Sequence, residues 1–324
     1  MQTTTTLSAS APGKILLLGS YAVLEGQTAL VIAYGPRLQA FAEAGSRGKI
    51  ELYAPQIMPS PCSFELGKAP PAGHPAGPDG PLNFLGAIFA DLPRVSWDGL
   101  RIRTESEIPP GLGSSAALVT TACALRRRLT NSTNIEAVSH AYKYLRTVQG
   151  GGSGADLAAV TVGGAISYQL NAGAPTWEAL GSSPPAGLRL SVWRKGSKTD
   201  TSAAIRRWKE GEGRDLASAI GSVARRGVDA WRAGNAGALI EAVDEAQRLQ
   251  IRLGAVSESD AAWMQQLRSV PGVAALVATG AGGGEALAVL WRGTIDPYEA
   301  ALDWFPDLDQ VPGPISTAGL EIYP

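Results

Sequence analysis

Apolar runs and alternating stretches along the chain predict a mixed fold of strands and helices. Two apolar runs, at residues 15–18 and 29–32, flank a turn that begins at Gly19 and predict two buried strands. Residues 100–103 alternate Leu and Ile with Arg, which is the period-2 pattern of a half-buried strand. Pro and Gly are frequent in residues 55–82, which we expect to form a long surface loop.

Helical spacing follows directly after the predicted strand at residues 100–103. Leu118, Ala122, Leu125 and Leu129 recur on one helical face, behind a loop rich in Gly and Ser. Thr133 and Glu136 form a capping-box pattern for a second helix, whose apolar face is Ile135, Val138, Tyr142 and Leu145. Short alternating stretches at residues 166–170 and 188–192 predict two further strands. Further helices are predicted near residues 201–210, 215–233, 236–253 and 259–268, before two strands at residues 273–279 and 286–291 around a glycine turn.

Length and charge limit the classes of function. A chain of 324 residues exceeds the usual size of one hydrophobic core, so we expect two domains, residues 1–184 and 185–324, divided in a Pro-rich turn. Lys and Arg total 28 against 29 Asp and Glu, so no basic field favours nucleic acid or an anionic membrane as a partner. With two distant cysteines and no signal or membrane-spanning run in the sequence, we expect a cytoplasmic location.

The most specific local pattern is IPPGLGSSAALVTTACAL, at residues 108–125, where the loop opens into an amphipathic helix. Free N–H groups at a helix N-terminus bind phosphate, and glycine allows close approach of the backbone. The hydroxyls of Ser114 and Ser115 suit either phosphate or Mg²⁺. An ordinary helix start, with Ser114 as N-cap and no phosphate, remains the alternative from the pattern alone. No Lys follows the glycines, so this is not a Walker A loop.

Two more segments form a set of three motifs with this loop: APGKILLLGSYAVLEG at residues 11–26 and TGAGGGEALAVLW at residues 279–291. Together with the loop at residues 108–125, they resemble the three motifs of the GHMP kinases, in the same order and at similar spacing. The resemblance implies an α+β GHMP kinase fold, with an S5-like α/β N-terminal domain and a ferredoxin-like C-terminal domain. ATP and the acceptor would bind between the two domains.

The resemblance also implies roles for individual residues. Asp156, at the end of QGGGSGAD, would be catalytic, although an N-cap is the alternative from the pattern. Lys14 would be catalytic and would pair with Asp156 or with the transferred phosphoryl group; a solvated strand end is the alternative. Ser114 or Ser115 would bind Mg²⁺. The ATP phosphates would be bound by Pro110, Gly111, Leu112, Gly113, Ser114, Ser115 and Ala116.

Within the superfamily, the chain is most similar to the phosphomevalonate kinases. Tyr21 stands in GSYAVLEG, the spacing from Gln149 to Asp156 is that of their second glycine loop, and RKGSKTDTSAAI at residues 194–205 resembles their loop for the acceptor phosphate. The acceptor would be bound by Lys14, Ser20, Tyr21, Ser153, Gly154, Asp156, Ser197, Lys198, Thr199, Thr201, Ser202, Gly282 and Gly283. Two departures are Ser20, where Glu or Gly is common, and the pair Pro109 and Pro110, where many of these kinases place a Lys. That missing cation would be replaced by Lys14, Arg194, Lys195 or Lys198.

The sequence therefore predicts ATP- and Mg²⁺-dependent phosphorylation of phosphomevalonate to diphosphomevalonate by a monomer or homodimer. A mevalonate kinase, or another GHMP small-molecule kinase, is the alternative. A non-catalytic sensor on the same fold would be expected to have lost motif residues, whereas Lys14, Ser114, Ser115 and Asp156 are all present. His74 and His140 show no catalytic pattern and are assigned to structure or surface.

Overall fold

The computed structural model describes residues 6–92, 97–132, 137–195, 208, 212–279 and 286–324. Its strands are β1 (Leu7–Leu18), β2 (Ala29–Ala44), β3 (Lys49–Tyr53), β4 (Cys62–Glu65), β5 (Leu100–Ser106), β6 (Ala165–Asn171), β7 (Ala174–Gly181), β8 (Arg189–Lys195), β9 (Val273–Ala278), β10 (Ala286–Trp291), β11 (Leu308–Val311) and β12 (Glu321–Tyr323). Its α-helices are α1 (Asn83–Phe89), α2 (Ser114–Leu129), α3 (Ala137–Gln149), α4 (Ala155–Val162), α5 (Glu212–Arg232), α6 (Ala236–Leu253), α7 (Glu258–Arg268) and α8 (Tyr298–Leu302). A 3₁₀ turn, Ala22–Glu25, lies between β1 and β2.

The first sheet is built around the long strand β2. Its strand order is β12-β1-β2-β5-β3-β4, and β6 pairs with β2 and with β7. The two halves of β2 have different neighbours, because residues 29–32 pair with β6 and residues 38–44 pair with β5. Gly35, with a φ of 72°, lies between the two halves. A single strand thus supports both the glycine loop that follows β5 and the helix that precedes β6.

The two faces of β1 pack against different cores. Ile15 and Leu17 belong to the main core, whereas Leu16 packs with residues of α4 and β6. Because side chains alternate along a strand, Lys14 lies on the same face as Leu16. The strand therefore directs Lys14 toward α4.

The second sheet is antiparallel, with the order β11-β8-β10-β9, and is covered on both faces. Ala286, Ala288 and Leu290 join the main core, while Leu287 and Val289 pack in a second core that includes residues of α7 and α8. Helix α5 packs on β1 and β2, and α6 packs on β1 and β9. This double coverage explains why β9 and β10 are apolar along their whole length rather than alternating.

Most predicted elements are confirmed, with small differences at their ends. Helix α2 ends at Leu129 as the pattern indicates, and the helices predicted at 215–233, 236–253 and 259–268 correspond to α5, α6 and α7. The prediction of a continuous loop at residues 55–82 is wrong, because Cys62–Glu65 pairs with β3 and buries Phe64. The capping pair Thr133 and Glu136 lies outside the described residues, as does the helix predicted at 201–210 apart from Trp208.

The proposed division at residues 184 and 185 stays a prediction. The two sheets separate near it, but β12, at the end of the chain, pairs with β1 of the first sheet. Arg37 holds this returning segment through an ion pair with Glu321, 2.8 Å between Nη2 and Oε2, and through hydrogen bonds to the carbonyls of Ala318 and Gly319. Among the helices that the structure describes, none is long and apolar enough to span a membrane.

Candidate active site

The N-terminus of α2 is formed by a glycine rather than by a capping side chain. Gly113 is the N-cap residue, with a φ of 91°, and no side-chain hydrogen bond caps the helix. The Ala117 N–H donates to the Gly113 carbonyl at 3.0 Å, so the N–H groups of the preceding helical residues lack intrahelical partners. The interpretation of Ser114 as N-cap is wrong, because Ser114 is the first helical residue. The arrangement suits an anion in front of the helix.

Lys14 crosses directly over this helix start. A Cβ atom at position 113 would lie 2.7 Å from Cγ and 3.1 Å from Cε of Lys14. The backbone fixes this approach, because the Lys14 N–H donates to the Leu112 carbonyl at 2.7 Å. A Cβ at Gly13 would in turn lie 2.9 Å from the Leu112 carbonyl oxygen. Glycine on both segments therefore lets β1 and the loop come into contact.

Lys14 and Asp156 form an ion pair, with 3.2 Å between Nζ and Oδ2. The Lys14 side chain is 6% exposed, whereas that of Asp156 is 44% exposed. The interpretation of Lys14 as a solvated strand end is therefore wrong. A buried ammonium is costly without a partner, and Asp156 supplies one while its carboxylate still faces outward. The pair joins β1 to the first turn of α4.

The second glycine loop places Asp156. Gly154 is the N-cap of α4, with a φ of 78°, so Asp156 lies inside the first turn and is not the N-cap. A Cβ at Gly154 would lie 2.6 Å from Cδ2 of Tyr142. The Tyr168 hydroxyl donates to the Ser153 carbonyl, and burial raises the pKa of Tyr168, which keeps this donor protonated. Two tyrosines thus hold the loop that carries Asp156.

Sequence reasoning missed this function of Tyr142 and Tyr168. The sequence pattern places them only on the apolar faces of a helix and a strand, and the structure confirms that both are buried. The only sequence signal for a role beyond packing was that each position holds a tyrosine rather than an aliphatic residue. A phenol that is buried requires a hydrogen-bond partner, and a nearby glycine loop offers free carbonyls.

Ser20 and Tyr21 lie at the turn between β1 and the 3₁₀ segment, and both are buried. Tyr21 has a φ of 63°, an uncommon conformation for a residue with a side chain. Its ring stacks on Trp208, with 5.5 Å between centroids and 26° between planes. Burial raises the pKa of Tyr21 to about 12. Their predicted contact with the acceptor stays a prediction.

The structure brings together Lys14, Ser153, Gly154 and Asp156 with the start of α2. In the phosphate loop, Leu112 and Ala116 are buried, so only their backbone groups are available, while Pro110, Gly111 and Ser115 are exposed and Ser114 is half-buried. The remaining predicted residues lie outside the described part of the chain: Ser197, Lys198, Thr199, Thr201, Ser202, Gly282 and Gly283.

A cavity of about 310 Å³ lies beside the start of α2. Its wall is mostly apolar and includes Ser114 and Ser115. Gln56, which donates to Thr104 Oγ1 at 2.8 Å, adds a polar group to the wall. An apolar cavity next to an anion site is the arrangement expected for an organic group attached to a phosphate.

Lys195, one of the predicted replacements for the missing cation, is engaged elsewhere. Its Nζ lies 2.6 Å from Oδ1 of the buried Asp260 and 5.1 Å from the centre of the Trp263 ring. Arg194 is part of β8 and pairs with Ala286 of β10, and Lys198 lies outside the described residues. Lys14 is the predicted cation whose contacts with the phosphate loop the structure describes.

Residues 83–164 match the family model described as the GHMP kinases N terminal domain. This match contains both the phosphate loop and Asp156. The chain thus has the GHMP kinase fold, and its residues 83–164 are similar to the GHMP kinases N terminal domain. Its GHMP kinase fold is also found in solved structures: a Lin0012 protein from Listeria innocua has a TM-score of 0.76 at 20% identity, covering 98% of this chain and 99% of the other. A Streptococcus pneumoniae phosphomevalonate kinase in complex with phosphomevalonate and AMPPNP has a TM-score of 0.73 at 18% identity, covering 98% of this chain and 99% of the other.

Sequence relatives of this chain include a mevalonate kinase from Thermococcus gammatolerans, which is 33% identical over 174 residues. That match covers 50% of this chain and 51% of the relative. A mevalonate kinase from Aeropyrum pernix is 31% identical over 170 residues, covering 50% of each chain. The chain thus spans about half the length of the curated relatives it matches.

Proposed function

We propose that this protein is an ATP-dependent kinase of the mevalonate pathway that phosphorylates phosphomevalonate to diphosphomevalonate. The observation that carries the proposal is the Lys14–Asp156 pair, which lies between the starts of two helices, α2 and α4. Phosphoryl transfer depends mainly on positioning and on neutralisation of charge, and this arrangement supplies both a cation and two helix N-termini.

The nucleotide binds at the start of α2 in this proposal. The N–H groups of Ser114, Ser115 and Ala116 donate to the phosphates, because they have no partners within the helix. The adjacent cavity of about 310 Å³ takes the base and sugar. The position of this cavity orients the nucleotide so that its phosphates face Lys14.

Mg²⁺ fits the residues at this position. Mg²⁺ usually binds through one or two protein groups together with substrate phosphates and water, rather than in a protein cage. The hydroxyls of Ser114 and Ser115 can serve as these protein groups. Among the residues that the structure describes, no group of three or more His, Cys, Asp or Glu side chains could hold a metal. When bound, the ion supplies neutralisation of the charge that develops on the transferred group.

Lys14 and Asp156 act on the reacting groups. The Lys14 ammonium binds the phosphoryl group in transit, and its burial strengthens that attraction. An oxygen of the acceptor phosphate bonds to the γ-phosphorus of ATP, the bond from that phosphorus to the bridging oxygen breaks, and ADP leaves. A phosphate acceptor, with a second pKa of about 6, is already largely ionised at neutral pH, so no strong base is needed. Asp156 then orients the acceptor and Lys14.

The choice of phosphomevalonate rests on local sequence. Tyr21, the Gln149 to Asp156 spacing and the segment at residues 194–205 resemble phosphomevalonate kinases rather than mevalonate kinases. The specific observation in favour of mevalonate as acceptor is that the curated relatives are named mevalonate kinases. With an alcohol acceptor, the exposed carboxylate of Asp156 would instead remove the proton.

A coupled ADP-release assay with MgATP tests the proposal. Phosphomevalonate, mevalonate, homoserine and galactose are compared in parallel, with a reaction lacking acceptor and with the Lys14→Met protein as controls for background ATPase. Preferential turnover of phosphomevalonate, lost in Lys14→Met, is the expected result. Preferential turnover of mevalonate would establish the second candidate, and no turnover of any of the four would overturn both.

A further inference from the structure

Two glutamines on α6 hold the last residue of β9. Gln247 Oε1 accepts from the Ala278 N–H at 3.0 Å, and Gln250 Nε2 donates to the Ala278 carbonyl at 3.0 Å. The two glutamines are 9% and 5% exposed, respectively. They lie three residues apart, so both face the same side of the helix. One residue of β9 is thus bound through both of its backbone polar groups.

The register of the sheet explains why Ala278 needs these partners. Strand β9 is at the edge of the second sheet, and the Thr279 N–H donates to the Ala286 carbonyl of β10 at 2.9 Å. Successive residues of a strand point their backbone groups in opposite directions, so those of Ala278 point away from β10. Buried backbone groups require hydrogen bonds. The side-chain amides of α6 take the place of a further strand.

Gln250 also reaches the first sheet. Its Nε2 lies 3.5 Å from Ser20 Oγ, in the turn that follows β1, where the acceptor is proposed to bind. Its orientation is fixed, because rotating the amide would place an oxygen against the Ala278 carbonyl. Its Oε1 is buried and has no partner among the described residues. Gln250 therefore contacts both Ser20 and the second sheet. The hydrogen bonds of Gln247, by contrast, run to Ala278 and to Met264 Sδ.

We propose that Gln250 is a positioning residue: its side chain fixes the turn that contains Ser20 relative to the end of β9. This inference rests on the proposed function, because Ser20 matters to catalysis only if the acceptor binds beside it. A displacement of about 1 Å at a reacting group can cost about 100-fold in rate. Loss of the Gln250 contacts therefore lowers turnover of the acceptor without removing any group that binds ATP.

Gln250→Glu and Gln247→Glu form a matched pair for the test. Each places one carboxylate at a buried position on the same face of α6. Glutamate at 247 keeps an oxygen for the Ala278 N–H, whereas glutamate at 250 has no donor for the Ala278 carbonyl. Gln250→Met, which introduces no charge, is a second variant in case the carboxylate prevents folding. Kinetics, thermal unfolding and hydrogen exchange are measured on all three proteins and on the wild type.

We expect both Gln250 variants to lower kcat/KM for the acceptor about 10- to 100-fold with KM for ATP unchanged. Gln247→Glu should stay within about threefold of the wild type. Hydrogen exchange at residues 19–26 and 273–279 should accelerate together in the Gln250 variants and not in Gln247→Glu. Equal kinetics and exchange in the 247 and 250 glutamate variants would overturn the inference. A wild-type protein that turns over no acceptor would overturn the proposed function instead, and the exchange comparison would then decide the inference alone.

Discussion

Lys14 and Asp156 differ greatly in their exposure to solvent. The alkyl chain of Lys14 is covered by Gly113, and its ammonium is buried, while the Asp156 carboxylate is open on one side. Charge interactions strengthen as water is excluded, so the buried Lys14 ammonium attracts a phosphoryl oxygen more strongly than a surface lysine does. The exposed carboxylate remains accessible to a second group. The two residues are therefore suited to different parts of one reaction.

Replacing Lys14 by Met should abolish most of the activity while preserving the fold. Methionine keeps an unbranched chain across Gly113 and removes only the charge. Loss of one group that stabilises developing negative charge typically lowers kcat about 10²–10³-fold, which is the expected effect here. Lys68→Met is the matched control, since Lys68 forms an exposed ion pair with Glu65 at 2.9 Å. Similar kcat values for the two variants would contradict the role of Lys14.

Replacing Asp156 by Asn distinguishes positioning from proton removal. With phosphomevalonate as acceptor, the variant should lose activity through misplacement, and its pH-rate profile should keep the shape of the wild-type profile. With an alcohol acceptor, removal of the base would cost about 10²–10⁴-fold and would eliminate the limb that reports its ionisation. The measurement is kcat/KM across pH for both proteins. A limb that disappears only in the variant would count against a phosphate acceptor.

At the scale of elements, the pattern of the sequence predicted α2 and the anion site but not the details of the helix start. The apolar spacing gives the helix, and the adjacent glycines indicate a close backbone approach. Which residue becomes the N-cap depends on the neighbouring strand, because Lys14 occupies the space above Gly113. Similarly, Asp156 could be assigned to a helix start from the sequence, but its distance to Lys14 follows from how β1 faces α4. Local sequence patterns therefore cannot predict the contact between Lys14 and Asp156.

Gly113→Ala should damage the site more than the fold. The new Cβ meets Lys14 Cγ at 2.7 Å, and the φ of 91° is unfavourable for alanine. Gly173→Ala is a control matched for backbone strain, because Gly173 has a φ of 81° and a Cβ added there would meet nothing within 4 Å. Both variants should lose about 1–2 kcal/mol of stability from the left-handed conformation. Only Gly113→Ala should also lose nucleotide binding, measured by titration with ATP. Equal ATP binding by the two variants would show that the close approach of Lys14 to Gly113 is not needed for nucleotide binding.

At the scale of the whole molecule, the structure depends on contacts that the sequence could not predict. Strand β12 pairs with β1, Arg37 holds the segment before β12, and Gln247 and Gln250 complete the edge of β9. Each contact joins residues that are distant in the chain and that have no shared pattern. A glutamine in a helix is usually a surface residue, and its burial here follows only from the position of α6 between the sheets. Periodicity predicts elements, whereas their packing decides these partners.

Tyr34 lies at the junction of the two sheets. It is part of β2, forms a bridge with Ile315, and hydrogen-bonds with the backbone of Val192 in β8. The pKa of Tyr34 is raised to about 12, mainly by burial; the hydrogen bond with the Val192 backbone lowers it and the Asp296 carboxylate raises it. The neutral phenol is therefore the form that is compatible with the closed junction.

Alkaline pH should weaken this junction, and Tyr34→Phe should reduce that dependence. The folded pKa of Tyr34 lies above its ordinary value of 10.0, so its contribution is present below that value and is lost as pH rises toward about 12. At pH 8 the Phe variant should be less stable by about 1 kcal/mol through the lost hydrogen bond. Above pH 10 the difference should shrink, because only the wild type has this buried phenol to ionise. Denaturant midpoints measured from pH 8 to 11.5 check this, with the exposed Tyr323→Phe as control. Parallel curves for wild type and Tyr34→Phe would show that ionisation of Tyr34 does not open the junction.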